Sequence, residues 1–242
     1  MAKKNNRKPL VLRGARQVGK TTVVNLFAEE FEQYIYLNLE LKEDRDIFET
    51  DSSVSEIFDA ILFLKEKQRG KETLLFIDEI QNSSKAVAQL RYFFEEIPEL
   101  YVIAAGSLLE TVLDINIAFP VGRVEFLVMH PVSFEEFLIA TDRKQALKML
   151  RTVPTKPFAD KKLFSLFHRY AQVGGMPEAV RIYAEKKDLN QLTGAYDNLL
   201  VSYIEDVEKY SPSAKSLPIM RHVMSSAFNE MAGRIKYAGF GK

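Results

Sequence analysis

A glycine-rich segment between an apolar run and an amphipathic run is the feature of this sequence that most constrains its fold. Residues 14–21 read Gly-Ala-Arg-Gln-Val-Gly-Lys-Thr and match the pattern GxxxxGK(S/T). The apolar run 9–13 predicts a buried strand, and the pattern from Lys20 to about Glu30 predicts a helix. Glycines allow successive backbone N–H groups to face a phosphate, and the helix N-terminus adds its positive end. The segment therefore predicts a phosphate-binding loop; a plain glycine turn is the alternative.

The residues of this loop suit a nucleoside triphosphate with Mg²⁺. We expect Lys20 to reach the β- and γ-phosphates and the Thr21 hydroxyl to coordinate Mg²⁺. We expect the other residues of the loop to surround the phosphates, mainly with their backbone N–H groups. The predicted nucleotide-binding residues of the loop are Gly14, Ala15, Arg16, Gln17, Val18, Gly19, Lys20, Thr21 and Thr22.

A second apolar run ends in two carboxylates. Residues 73–79 read Thr-Leu-Leu-Phe-Ile-Asp-Glu and predict a buried strand. Because open α/β sheets bind ligands at the carboxyl ends of their strands, we expect Asp78 to hold the Mg²⁺ shell. Glu79 is the candidate general base that orients and activates an attacking water. Two solvated acids that cap the next turn are the alternative.

The two acids and two missing motifs favour ATP hydrolysis over other nucleotide chemistry. The sequence has neither the DxxG switch nor the NKxD base-recognition motif that GTPases need. A nucleotide kinase would need an Arg-rich lid and an acceptor pocket, which we do not find. Hydrolases with an added strand between the two motifs commonly use the second acid as their base. We therefore predict an ATPase with ATP and Mg²⁺ as its ligands.

Strand and helix patterns alternate in the first half of the chain and predict a parallel sheet with helices on both faces. The predicted strands are 9–13, 33–40, 73–79, 101–105 and 124–133, and helices are predicted at 54–67, 83–96 and from 108 to 113. After about Ser133 only helices are predicted, at 133–140, 160–172, 177–186, 189–209 and 215–232. We predict an α/β P-loop NTPase core at 1–140, a helical lid at 141–210 and the start of a C-terminal domain at 211–242.

Composition excludes several other kinds of site. The chain of 242 residues has no Cys, and its three His residues are scattered, which leaves no cysteine-based or histidine-rich metal site. No apolar run is long enough to span a membrane, and the start of the chain lacks a secretory signal. We therefore expect a cytoplasmic protein that does not contact membranes.

The balance of 33 basic and 33 acidic residues conceals an uneven distribution. Between Arg143 and Arg169 there are eight basic residues and one acidic residue, Asp160. This window is a candidate polyanion-binding surface, with DNA as the candidate partner. A solvated helix face, on which Lys and Arg stems cover apolar neighbours, is the more frequent explanation.

Ser107 follows a third predicted strand, in the segment Tyr-Val-Ile-Ala-Ala-Gly-Ser. A hydroxyl at that strand end would lie at the level of the nucleotide and could bond the γ-phosphate or the attacking water. We therefore propose Ser107 as a catalytic residue. The alternative is an N-cap of the following helix, a position that serine often takes.

The sequence resembles the AAA-type ATPases of bacteria and archaea whose core precedes a poorly characterised C-terminal domain. The segments that carry the resemblance are GARQVGKTT, LLFIDEIQ, AAGS, VGRVEFLVMHPVSFEEFL and VGGMPEAV. The resemblance implies an ATP-binding core, a helical lid and association into homo-oligomers. It makes Arg123 a candidate arginine finger, in cis or in trans, with a structural ion pair as the alternative. It also implies that Pro177 packs on adenine, although Pro177 equally suits the first position of a helix.

The chain differs from this family at both ends, and we expect the C-terminal domain that follows about residue 200 in relatives to be incomplete here. Relatives usually carry some twenty or more residues of helix before the first strand, where this chain has eight residues before Pro9. We expect a fragment or a truncated product. Three roles remain open at this stage: an ATPase that remodels a partner, a nucleotide-gated protein-interaction switch with little turnover, and a DNA-associated ATPase.

Overall fold

The computed structural model describes residues 7–106, 119–120, 122–211, 213 and 216–229. The chain divides into two compact units, Met1–Ser133 and Phe134–Lys242. The predicted helix at 108–113 and the candidate Ser107 lie outside the described residues.

The first unit is built on a five-stranded sheet in which all strand pairs are parallel. The strands are β1 (Leu10–Arg13), β2 (Gln33–Asn38), β3 (Thr73–Asp78), β4 (Tyr101–Gly106) and β5 (Glu125–Val128), in the order β2-β3-β4-β1-β5. The predicted α/β fold with five strands is therefore confirmed. The strand predicted at 124–133 was too long, because β5 is an edge strand that pairs only with the four residues of β1.

Helices cover both faces of this sheet. They are α1 (Lys20–Ala28), α2 (Lys42–Asp46), α3 (Val54–Leu64) and α4 (Ser84–Glu96), with a 3₁₀ turn at Ile80–Asn82. Successive residues of a strand point to opposite faces. In β3, Leu75 and Ile77 therefore belong to the cluster with α3 and α4. Leu74 and Phe76 pack on the α1 side.

Serine caps fix where two of these helices begin. At α3 the Ser53 side chain accepts the Glu56 N–H and the Glu56 carboxylate accepts the Ser53 N–H, which forms a capping box. At α4 the Ser83 side chain accepts the Ala86 N–H. Both caps satisfy backbone donors that would otherwise lack partners at a helix start.

The second unit is helical throughout its described residues. Its helices are α5 (Phe134–Ala140), α6 (Lys144–Leu150), α7 (Pro157–Val173), α8 (Pro177–Lys186), α9 (Thr193–Tyr210) and α10 (Leu217–Asn229). The helix predicted at 189–209 begins instead with a 3₁₀ turn, Leu189–Leu192. Two short helices, α2 and α6, were not predicted. Across the described residues, no helix is both long and apolar enough to cross a bilayer.

Candidate functional site

The register of the sheet brings the glycine-rich loop and the two acids to the same edge. Val11 of β1 and Ile77 of β3 both pair with Ala104 of β4, so the three strands are level. The loop follows β1 and Asp78 ends β3, at the carboxyl edge where parallel sheets bind ligands. One strand, β4, separates them. The fold is therefore of the type in which an added strand lies between the two motif-bearing strands.

Two glycines determine the shape of the loop. Gly14 has φ +151°, and a Cβ on it would lie 2.3 Å from the carbonyl oxygen of Met129. Gly19 has φ +93° and stands at the N-cap of α1. Both conformations lie in the region of positive φ that favours glycine. The loop therefore turns tightly into the start of α1, as a phosphate-binding loop requires.

Lys20 and Thr21 begin α1 and point in different directions. The Lys20 ammonium donates hydrogen bonds to the carbonyl oxygens of Gly14 and Ala15, each at 2.9 Å. Burial lowers the pKa of Lys20, while the charges of Glu79 and Asp78 oppose that shift. The Thr21 hydroxyl donates to Oδ2 of Asp78 at 2.7 Å, across 57 residues of sequence. The lysine therefore lies over the loop, and the Thr21 hydroxyl and the Asp78 carboxylate lie side by side, where their oxygens could hold a metal ion.

Asp78 is 5% exposed and has two further partners. Its Oδ1 accepts the Glu79 N–H at 3.0 Å, and its Oδ2 accepts the Tyr36 hydroxyl at 3.4 Å. Burial, reinforced by the Asp78 charge, raises the pKa of Tyr36 to about 12, so the phenol stays a donor at neutral pH. Tyr36 was not predicted from the sequence. Its position follows from the register of β2 and β3, in which Tyr36 pairs with Phe76, two residues before Asp78 and on the same face of the sheet.

Glu79 stands just past the strand end in a left-handed conformation, with φ 52°. Such a conformation in a residue other than glycine costs about 1–3 kcal/mol and is typical of functional sites. Its Oε2 accepts a 2.5 Å hydrogen bond from Nε2 of Gln81, a buried residue that was not predicted from the sequence. Burial raises the pKa of Glu79, the Gln81 hydrogen bond lowers it, and the Asp78 charge raises it again. The carboxylate is therefore oriented by a neighbouring amide.

Arg123, the candidate arginine finger, lies away from the loop. It precedes β5, and Glu125 of β5 is level with Leu10 at the amino edge of the sheet, whereas the loop follows Arg13. At about 3.3 Å per residue, the strand alone separates the two edges by about 10 Å. Nε of Arg123 donates to Glu95 at 2.7 Å. Within this chain, Arg123 is therefore not brought to the loop, and a finger contact in cis does not fit this placement.

Pro177 belongs to the second unit, where it occupies the first turn of α8. The structure thus assembles the loop, Asp78 and Glu79 into one site. Of the loop residues, Val18 and Lys20 are buried, whereas Ala15, Gln17 and Thr22 are exposed.

A loop after β1 and paired acids after β3, with β4 between them, define a P-loop NTPase of the added-strand type. Residues 6–138 match the model of the AAA domain family, and the chain belongs to this family. Residues 164–242 match a domain of unknown function, DUF8612. The chain is therefore an AAA-type P-loop ATPase core with an additional C-terminal domain, and family membership supports ATP binding at the loop.

The solved structures that are similar to this chain include the following two. The Walker-type ATPase PABY2304 of Pyrococcus abyssi is 17% identical, with a TM-score of 0.53 over 96% of this chain and 82% of that chain. PCH-2 of C. elegans is 14% identical, with a TM-score of 0.42 over 74% of this chain and 56% of that chain. No match was found among curated proteins. The likeness to the archaeal ATPase agrees with the fold described above and, at such identity, concerns the fold alone.

Proposed function

We propose that this chain hydrolyses Mg-ATP to ADP and phosphate and couples turnover to a conformational change that acts on a partner. The observation that carries the proposal is the 2.7 Å hydrogen bond between the Thr21 hydroxyl and the buried Asp78 carboxylate, with Glu79 adjacent. This arrangement supports the proposal, because the loop, two oxygens that could hold a metal ion and a candidate base lie at one edge of the sheet.

The side chains present suit both ligands. Gly14 and Gly19 adopt positive φ values that let the loop turn tightly, and α1 directs its N-terminal N–H groups toward the loop. Thr21 and Asp78 offer hydroxyl and carboxylate oxygens, the ligands that Mg²⁺ prefers, and we assign Mg²⁺ to them. When bound there, the ion would neutralise charge on the β- and γ-phosphate oxygens.

The proposed reaction assigns one role to each residue. Lys20, already over the loop carbonyls, binds phosphate oxygens. The Glu79 carboxylate accepts a proton from a water whose oxygen bonds to the γ-phosphorus, while the bond from that phosphorus to the ADP oxygen breaks. Gln81 keeps the carboxylate directed at that water through its amide.

Two roles implied by the family resemblance complete the proposal. Ser107, which follows β4 in the sequence, would bond the γ-phosphate or the water. Pro177, at the start of α8, would pack on the adenine ring from the helical lid. Both roles are predictions, and replacing each residue with alanine would test them.

The test of the proposed function is steady-state phosphate release from Mg-ATP by the full chain, together with equilibrium ATP binding. Turnover that requires Mg²⁺ supports the hydrolase. Tight ATP binding with no phosphate release would overturn it, and a nucleotide-gated switch would then explain the site. Absence of ATP binding would overturn both.

Gln81 gives a prediction that separates catalysis from stability. We expect Gln81→Met to lower kcat about tenfold, because the Glu79 carboxylate loses the donor that orients it, and to leave the KM for ATP unchanged. Stability should change little: the substitution removes a hydrogen bond but also removes Oε1 of Gln81, a buried oxygen with no hydrogen-bond partner. Phosphate release and thermal unfolding measure the two effects. A fall in the melting temperature with unchanged kcat would contradict the positioning role.

Arg123 gives a prediction about association. Because a contact in cis does not fit its placement, we propose that it acts on the nucleotide of a neighbouring subunit. Arg123→Ala alone should then lower turnover at least a hundredfold. An equal mixture of Arg123→Ala and Glu79→Gln subunits should recover part of it, since intact loops then meet intact arginines. If Arg123→Ala keeps its turnover and only loses the ion pair with Glu95, the arginine is structural.

A further inference from the structure

The basic window of the second unit lines two adjoining cavities beside α7. The first, about 580 Å³, lies between α6 and α7 and is lined mainly by apolar groups such as Met149, Phe158 and Leu163. The second, about 750 Å³, is lined by polar and charged side chains. The two cavities share Arg143 and Leu166. We call this surface the basic aromatic face and define it by Arg143, Phe158, Lys161, Phe164, His168 and Arg169.

The cations of this face have no carboxylate partner among the described residues. In the part of the chain that the structure describes, no carboxylate lies within 4.0 Å of the charged nitrogens of Arg143, Lys161 or Arg169. Cations nearby behave differently: Arg181 of α8 bonds both Glu178 and Glu185 at 2.8 Å. Three like charges around one concavity concentrate a positive field there. The second cavity is therefore suited to an anion.

Exposed phenyl rings accompany the cations. Phe158 is 78% exposed and lines the first cavity, and Phe164 is 67% exposed and lines the second. Ser165 and Gln172 add hydrogen-bonding groups to the second cavity. Aromatic faces that alternate with cations are the chemistry that binds single-stranded nucleic acids, because bases stack on the rings while phosphates contact the charges.

We propose that the basic aromatic face binds single-stranded nucleic acid. Its concave form favours a single strand over a duplex, because only unstacked bases can enter cavities, whereas a duplex is bound by elements that project into its grooves. From Phe158 to Gln172, α7 rises about 21 Å, the length of about six stacked nucleotides. This binding goes beyond the proposed ATP hydrolysis and does not depend on it.

The test is fluorescence anisotropy of a labelled dT12 oligonucleotide with the full chain, at increasing NaCl concentration and without ATP. Three phosphate contacts predict a slope of about −2 for the logarithm of the association constant against the logarithm of salt. Arg143→Gln, Lys161→Gln and Arg169→Gln should each reduce that slope by about 0.7. Phe164→Ala should weaken binding about tenfold at every salt concentration and leave the slope unchanged.

Two matched control variants separate binding at this face from effects of overall charge or of exposed apolar area elsewhere on the chain. Arg181→Gln makes the same charge change in the same unit at an ion-paired arginine, and Phe63→Ala removes a phenyl that is 82% exposed on α3 of the first unit. Neither should change the binding. Circular dichroism checks that each single variant folds, and a change of salt slope in a folded variant reports on the phosphate contact that it removes.

Four outcomes would overturn the proposal. These are equal losses in Arg181→Gln and Arg169→Gln, tighter binding of a dT12–dA12 duplex, displacement of dT12 by polyglutamate at equal charge, and no binding at low salt. Displacement by polyglutamate would indicate an acidic protein as the partner. Because the experiment contains no ATP, its failure is distinct from a failure of phosphate release.

Discussion

Replacement of Glu79 by glutamine is expected to lower steady-state Mg-ATP turnover by about 10²–10⁴-fold, which is the usual contribution of a general base. Glutamine has the same shape but accepts no proton at neutral pH. Its amide oxygen can still accept the Gln81 N–H that Glu79 accepts at 2.5 Å. ATP binding should therefore remain close to that of the unsubstituted chain. Phosphate release and equilibrium ATP binding, measured on the same preparation, test both parts.

Glu40→Gln is the matched control for that substitution. Glu40 is an exposed residue just after β2 whose negative charge contributes to the raised pKa of Glu79. Like Glu79→Gln, Glu40→Gln removes one negative charge near the same site, but it keeps the candidate base. Turnover should therefore change less than threefold. If Glu79→Gln keeps more than a tenth of the turnover, or if Glu40→Gln loses as much, the base is another group.

The ligand-binding edge was predictable because it depends on local sequence. Glycine spacing around residues 14–19 and the apolar strand before Asp78 are short-range patterns, and a parallel sheet brings the ends of such strands together. Gln81 was not predictable in this way. Its contact with Glu79 depends on the left-handed backbone conformation of Glu79, and a glutamate in the sequence does not indicate that conformation. Tyr36 needs the register between β2 and β3.

Arg123 shows a signal that was present but not used. A residue just before a parallel strand lies at the opposite edge from a loop that follows such a strand, so a cis contact was already improbable from the predicted topology. The short helices α2 and α6 were missed for a different reason. With five and seven residues, they are too short to show a helical period. The cavities beside α7 depend on how α6 packs against it, which the basic window alone does not specify.

Gly14→Ala is expected to damage both stability and nucleotide binding. The new Cβ would lie 2.3 Å from the Met129 carbonyl oxygen and 3.2 Å from Cγ2 of Val18, at φ +151°. Met129 cannot move freely, because its N–H donates to the Arg13 carbonyl at 2.7 Å where β5 pairs with β1. We expect the chain to lose about 2–4 kcal/mol of stability, and the displaced loop to bind ATP at least tenfold more weakly. Thermal unfolding and ATP titration measure the two losses.

Two other glycines separate the steric clash from backbone effects. Gly122 has φ +76°, but a Cβ added to it would meet no heavy atom of the described residues within 4 Å, so Gly122→Ala tests backbone strain alone and should cost about 1 kcal/mol. Gly194 lies in α9 without a positive φ, and a Cβ added to it would likewise meet no described atom within 4 Å, so Gly194→Ala should stabilise by up to about 1 kcal/mol. If Gly14→Ala costs no more than Gly122→Ala, the approach to Met129 does not hold the loop in place. If Gly14→Ala costs more stability than Gly122→Ala but leaves the ATP affinity unchanged, the loop tolerates the displacement. Gly14 would then be required for the packing of β1 against β5 rather than for phosphate binding.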